Sequence, residues 1–227
     1  MDFVEDYIMS WKLFVSLGTA LMIVVMLFCG KYYNMKVWKR ILTAVVFTAV
    51  GVLSVMIMAF IENGRWGNRS WFGAVFFAPV FMALYALIVR EKPSTILDLC
   101  APSEAAMLAL MKINCSIDGC CYGYVMGMDA KGLEVRFPSQ IVECVVAAII
   151  CFALIWLIHK DKIRGSAYIW YMIIYGFSRF VLNWFRATKP FIWVLPAGNF
   201  WALISLVLGL VLLFVYKNWK GRTIRST

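Results

Sequence analysis

Charge is scarce in this sequence and histidine is almost missing. Asp, Glu, Lys and Arg make up 15% of the 227 residues, only 12 side chains are acidic, and His159 is the single histidine. Soluble domains are about 25% charged, so a water-surrounded surface is excluded for most of the chain. His159 lies in the basic run HKDKIRG, away from the other polar clusters, which excludes histidine acid–base chemistry among them. Low-complexity tracts, polar linkers and internal repeats are also lacking, so residues 1–227 read as one integral domain. The lack of repeats and of paired broken helices argues against a transporter.

What fills the chain is apolar: 63% hydrophobic residues and a mean hydropathy of +0.82, against about 45–50% apolar for soluble domains. A membrane span needs roughly 20 mostly apolar residues. Runs at 13–30, 41–61, 71–89, 141–158, 166–184 and 198–216 qualify. A seventh, 95–111, is shorter and holds Asp98, Pro102 and Glu104. It reads as a span buried among other helices, or as a broken or re-entrant one. The expected fold is all-α, a polytopic membrane protein of about seven transmembrane helices.

Basic residues alternate in number from loop to loop. Lys31, Lys36, Lys39, Arg40, Arg90, Lys92, Lys160, Lys162, Arg164, Lys217, Lys220, Arg222 and Arg225 fall on one side, 13 in all. Lys12, Arg65, Arg69, Lys112, Lys131, Arg136, Arg186 and Lys189, eight in all, fall on the other. The richer side is expected in the cytoplasm, which puts the N-terminus outside, the C-terminus inside and the setting in a bacterial plasma membrane. The net charge of +10 then anchors the chain against anionic lipid headgroups; no nucleic-acid partner is expected. The acidic start MDFVEDYIMSW does not read as a removable signal peptide.

Polar residues concentrate near the poorer side. At helical spacing Tyr168, Met172, Tyr175, Arg179, Asn183 and Arg186 share one face. An arginine in a span costs roughly 2.5–3.5 kcal/mol on insertion scales, so Arg179 is expected to face a polar cavity suited to an anion such as phosphate. Gln140 and Glu143 begin the fifth run, where Glu143 serves as a partner for an arginine or as a general base. The Gly-rich segment 112–137 carries Cys115, Cys120 and Cys121. Three readings stay open for these thiols: a disulfide, packing against the bundle, and a nucleophilic thiol or metal ligand. The metal reading is the weaker, since the spacing is not a zinc pattern and no histidine is near.

From about Ser70 to Tyr216 the order of motifs resembles the prolipoprotein diacylglyceryl transferase family. The resembling pieces are Ser70-Trp-Phe-Gly73, Leu97-Asp-Leu-Cys-Ala-Pro102, Lys112-Ile-Asn-Cys-Ser-Ile-Asp-Gly-Cys-Cys-Tyr-Gly123 and Pro138-Ser-Gln-x-x-Glu143. Tyr175-Gly-Phe-Ser-Arg-Phe180 with Arg186, then Gly198-Asn-Phe and Ser205, complete the series. The family loop reads G-R-I-G-N-F-I-N-G-E-x-x-G. On it, Lys112 replaces the arginine, Asn114 a glycine, Cys115 and Asp118 the asparagines, and Cys120 the glutamate, while Gly119 and Gly123 are kept. Phe72 stands for the histidine of S-F-H-G-G, and Asn183 for the glutamate after the retained Arg179.

The resemblance implies a seven-span enzyme moving a diacylglyceryl group from phosphatidylglycerol to the lipobox cysteine of a prolipoprotein signal peptide, at the outer membrane face. Lys112, Arg179, Arg186, Asn183, Gly119 and Gly123 are then expected to bind substrate, and Tyr175 or Glu143 to move the proton. No cofactor and no metal are expected. The alternatives are a non-catalytic relative that binds an anionic glycerophospholipid or a lipidated protein, and a membrane thiol-redox protein. A Cys115–Cys120 disulfide, or in second place Cys115–Cys121, is expected to hold the loop in place of the missing asparagine and glutamate.

Overall fold

The computed structural model describes residues 2–64, 66, 69–187, 190–192 and 195–225. Among them are seven α-helices: α1 (Asp2–Gly30), α2 (Val37–Asn63), α3 (Phe72–Ile88), α4 (Pro93–Ile117), α5 (Ser139–His159), α6 (Ala167–Asn183) and α7 (Ala197–Arg225). Two short antiparallel hairpins interrupt them, β1 (Val125–Met128) with β2 (Glu134–Arg136) and β3 (Pro190–Ile192) with β4 (Leu195–Pro196). The chain is thus a helical membrane bundle. Four spans are long and apolar enough to cross a bilayer: Leu13–Tyr33, Val37–Asn63, Ser139–His159 and Ala197–Lys220. α3 and α6 have 17 residues each, or ~26 Å at 1.5 Å per residue, a little less than the hydrocarbon core of about 30 Å.

α4 is the central helix, packed by α1, α3, α5 and α6 and buried without a break from Asp98 to Ala106. Of the two forms expected for this segment, the span buried among other helices is the one found, and the broken or re-entrant form is not: α4 runs unbroken through Pro102. Surrounding helices shield its backbone from lipid, the condition under which an intrahelical proline is tolerated. The Ser103 hydroxyl adds a bond to the Leu99 carbonyl at 2.8 Å. The buried acids have partners, as an apolar solvent demands. Asp98 accepts from Tyr33 Oη at 2.6 Å, from Ala167 N at 2.8 Å and from Gly165 N, so it caps the start of α6 from another helix. Glu104 accepts from Tyr168 Oη at 2.7 Å and Tyr171 Oη at 3.2 Å.

Lipid tails are as apolar as leucine, so close van der Waals packing rather than water exclusion holds such helices together. The interior accordingly sets small Ala78, Ala86, Ala101 and Ala105 among Met26, Met82, Leu99 and Leu154, all fully buried. Leu84, Leu87, Phe152, Val207 and Phe214 face outward.

The bundle has two unlike ends. At one, Lys39 pairs with Glu91 at 2.6 Å, Arg164 lies over the rings of Tyr32 and Tyr33, and His159 packs on Tyr32. The other holds the Cys115–Gly123 segment and the ends of α2, α4 and α6. Arg65 and Lys189, counted above on the poorer side, lie outside the described residues.

Candidate functional site

A cavity of about 400 Å³ opens at this second end. Its wall includes Glu62 and Ser70 from the α2–α3 junction, Phe72 from α3, Lys112 and Cys115 from α4, Asp118, Cys120 and Cys121 from the loop, and Tyr175, Arg179 and Arg186. Each helix contributes by where its apolar stripe ends. Lys112 sits near the end of α4, where the buried face meets the loop. Arg179 sits one turn beyond Tyr175 on α6, so the two share a face.

Glu143, near the start of α5, organises the cations. It forms ion pairs with Lys112 and Arg179 and lies 3.9 Å from Arg186 Nε. Its side chain and that of Lys112 are less than a tenth exposed. A buried charge is tolerated when paired, and here one carboxylate faces three cations, leaving a local excess of positive charge. Both carboxylate oxygens point at cations, Oε2 at Lys112 and Oε1 at Arg179 and Arg186. Of the two roles expected for Glu143, the ion pairs supply the geometry of a partner for arginine.

The remaining expected residues divide. Tyr175 is buried and lines the cavity, its ring stacked on Tyr171 at 5.6 Å and tilted against Phe72 at 5.8 Å. Asn183 is buried and is not among the cavity-lining residues; it packs behind Gly198 of α7, which is, and a Cβ on Gly198 would meet its Nδ2 at 2.6 Å. Asn183 lies ~80° around the helix from Tyr175 at 100° per residue, at the edge of the shared face. Tyr168 likewise serves Glu104 instead of the cavity.

The loop is clamped from two sides. Gln140 Nε2 donates to the Cys120 carbonyl and Ser139 Oγ to the Cys121 carbonyl, both at 2.7 Å. Tyr124 N bonds Phe185 O at 3.1 Å and Ala187 N bonds Tyr122 O at 3.2 Å, so the loop is stitched to the segment that carries Arg186. Gly119 takes a left-handed φ of +63°, natural only for glycine. At Gly123 a Cβ would lie 2.3 Å from the Phe137 carbonyl oxygen.

Cys115, Cys120 and Cys121 are free thiols, and neither expected bridge, Cys115–Cys120 or Cys115–Cys121, is formed. Their sulfur atoms nonetheless converge within 4.8 Å of one another. Cys121 adopts a left-handed φ of +62°, which lets adjacent Cys120 and Cys121 turn toward the same partner. Hydrogen bonding from Cys115 and Cys120, and then the charges of Lys112 and Arg186, hold the Cys121 thiol below its ordinary range. Hydrogen bonding with Cys115 and Cys121 pushes the Cys120 thiol up. Sequence reasoning missed Glu62, which accepts from Ser70 Oγ at 2.9 Å, and named Asp118 only as a replaced asparagine; Asp118 accepts from Asn114 Nδ2 at 2.6 Å. Their acidic positions beside the apolar runs were the available signal.

A polytopic helical membrane protein with a cationic cavity at one end is the class that fold and site define. Residues 69–215 match the family model described as prolipoprotein diacylglyceryl transferase. The chain belongs to the prolipoprotein diacylglyceryl transferase family. Among relatives named phosphatidylglycerol–prolipoprotein diacylglyceryl transferase, that of Clostridium tetani is 25% identical over 150 residues, covering 61% of this chain and 60% of the relative. A second from Clostridium perfringens is 26% identical, covering 66% and 63%. That of Bordetella parapertussis is 29% identical, covering 63% and 58%. The chain thus spans less than two thirds of the length of the relatives it matches.

Proposed function

We propose that this protein transfers the diacylglyceryl group of phosphatidylglycerol, or a similar anionic glycerophospholipid, to the cysteine thiol of a prolipoprotein. The observation that carries this reading is the gathering of Lys112, Arg179 and Arg186 around the single carboxylate of Glu143 at the cavity wall. The acceptor thiolate attacks the glycerol carbon bonded to the phosphate oxygen. An S–C bond forms, the C–O bond breaks, and its electron pair leaves on glycerol phosphate. The phosphate group passes from one negative charge to two, so cations held beside it stabilise the transition state more than the bound lipid. Their desolvation by the bundle strengthens that preference.

The basic end, with Lys39, Arg164 and Lys217, is read as cytoplasmic, which sets the cavity at the outer face of a bacterial plasma membrane with the N-terminus outside and the C-terminus inside. There it meets phosphatidylglycerol and the signal peptide of an exported prolipoprotein. Expression of this chain in a cell depleted of its own transferase tests the reading. Growth and lipid-modified lipoproteins are expected with the natural sequence and not with Arg179→Met. Failure to complement, with the protein present in the membrane, would count against transfer.

A further inference from the structure

Resting on that reading, we propose that Cys115, Cys120 and Cys121 form a three-sulfur site for a divalent thiophilic cation such as zinc, whose fourth position takes the acceptor cysteine. The sulfur atoms lie within 4.8 Å of one another, and tetrahedral thiolates at Zn–S ~2.3 Å stand about 3.8 Å apart. Small side-chain rotations close that difference. All three cysteines line the substrate cavity, so an ion bound there is open to a ligand from the cavity side. Three protein ligands with one open position is the arrangement of catalytic, not structural, zinc sites.

The loop is built to hold that convergence. The carbonyls of Cys120 and Cys121 are fixed by Gln140 and Ser139, Cys120 N bonds Cys115 O at 3.0 Å, and Cys121 occupies a conformation disfavoured for a side-chain-bearing residue. The local charge fits as well. Three thiolates around a divalent ion carry one net negative charge, beside three cations that share one carboxylate.

A metal-held thiolate needs no general base, and the carboxylates on the cavity wall are already engaged: Glu62 accepts from Ser70 and Asp118 from Asn114. Glu143 is engaged by cations, and the chain's one histidine packs on Tyr32 at the opposite end of the bundle. A thiol entering a metal's coordination shell gives up its proton outright. The acceptor cysteine would release its proton to water on binding, then attack the glycerol carbon as a metal-held thiolate. The leaving glycerol phosphate would depart toward Arg179 and Lys112. No redox step is involved.

The test is Co²⁺ titration of the purified, reduced full-length protein in zwitterionic nanodiscs free of phosphatidylglycerol, so that no transfer occurs and binding is read independently of activity. One equivalent of Co²⁺ with a thiolate-to-cobalt charge-transfer band, displaced by Zn²⁺, is expected. Cys115→Ser, Cys120→Ser and Cys121→Ser should each weaken binding by on the order of 100-fold, while Cys144→Ser, outside the cluster, should not. A lipobox peptide should shift the cobalt spectrum, and its Cys→Ser counterpart should not. Absence of the band in the natural protein overturns the metal site, whatever the variants do. A band that ignores the peptide thiol overturns the role of the fourth position, and a disulfide among the three cysteines after purification without reductant overturns both.

Discussion

Replacing Glu143 with glutamine keeps the side chain's shape and removes the one carboxylate that, among the described residues, contacts Lys112, Arg179 and Arg186. The carboxylate is almost fully buried, with a side-chain exposure of 5%, so water cannot replace it. Removing one partner of a buried ion pair costs about 3–5 kcal/mol, because the charge left behind is uncompensated. For a chain of this size each kcal/mol lowers the melting temperature by about 2–4 °C, which predicts a loss of roughly 6–20 °C. Thermal unfolding of the purified protein in one detergent, natural sequence against Glu143→Gln, reads this directly. Adding Lys112→Met to the variant removes one of the stranded cations and should recover part of the loss, giving a coupling of at least ~1 kcal/mol. A Glu143→Gln protein that melts within about 2 °C of the natural one would refute the reasoning, since the cations would then be satisfied by something other than Glu143.

Three further outcomes follow from the same geometry. Gly123→Val should cost about 1–3 kcal/mol through overpacking against the Phe137 backbone and reduce folded yield, whereas Gly127→Val, with nothing within 4 Å of its new Cβ, should be neutral; equal yields remove the argument. Asp98→Ala strands the amides of Gly165 and Ala167 and should lower stability by about 2–3 kcal/mol, read as a drop in melting temperature with unchanged lipid KM, since Asp98 lies at the end away from the cavity. Arg179→Lys keeps the charge but loses the planar fork, so kcat/KM for transfer should fall about 10–100-fold with little change in melting temperature; full activity would mean that the fork does not engage phosphate.

The helices were legible because each apolar run is bounded by charge, and α4 stood apart through Asp98, Pro102 and Glu104. What no local pattern reveals is which partner each of these acquires. Asp98 bonds residues 67 and 69 positions away, and Glu104 bonds tyrosines 64 and 67 positions away. Arg179 was readable as a cavity residue from its insertion cost together with the polar stripe it shares with Tyr175, Asn183 and Arg186. Its union with Lys112 and Arg186 on Glu143 depends on how α4, α5 and α6 pack. Asn183 lies at the edge of the six-position stripe, one residue back from the wall, against Gly198 of α7. The β1–β2 hairpin was overlooked within a glycine-rich loop. Its signal was Asp129, whose carboxylate accepts from Lys131 N and Leu133 N at 2.8 Å, a side-chain turn motif between two short alternating runs. The cysteines were seen as a group, but their convergence depends on the left-handed backbone at Gly119 and Cys121, which spacing does not encode.

The central claim is that this cavity moves a diacylglyceryl group from phosphate to sulfur. Incubating the purified protein with phosphatidylglycerol and a lipobox peptide, and following the peptide by mass spectrometry, measures that directly. A mass gain of one diacylglyceryl group on the peptide cysteine is expected with release of glycerol phosphate, abolished by Arg179→Met and by peptide Cys→Ser. An unmodified peptide, from protein that is folded and still binds phosphatidylglycerol, would contradict it.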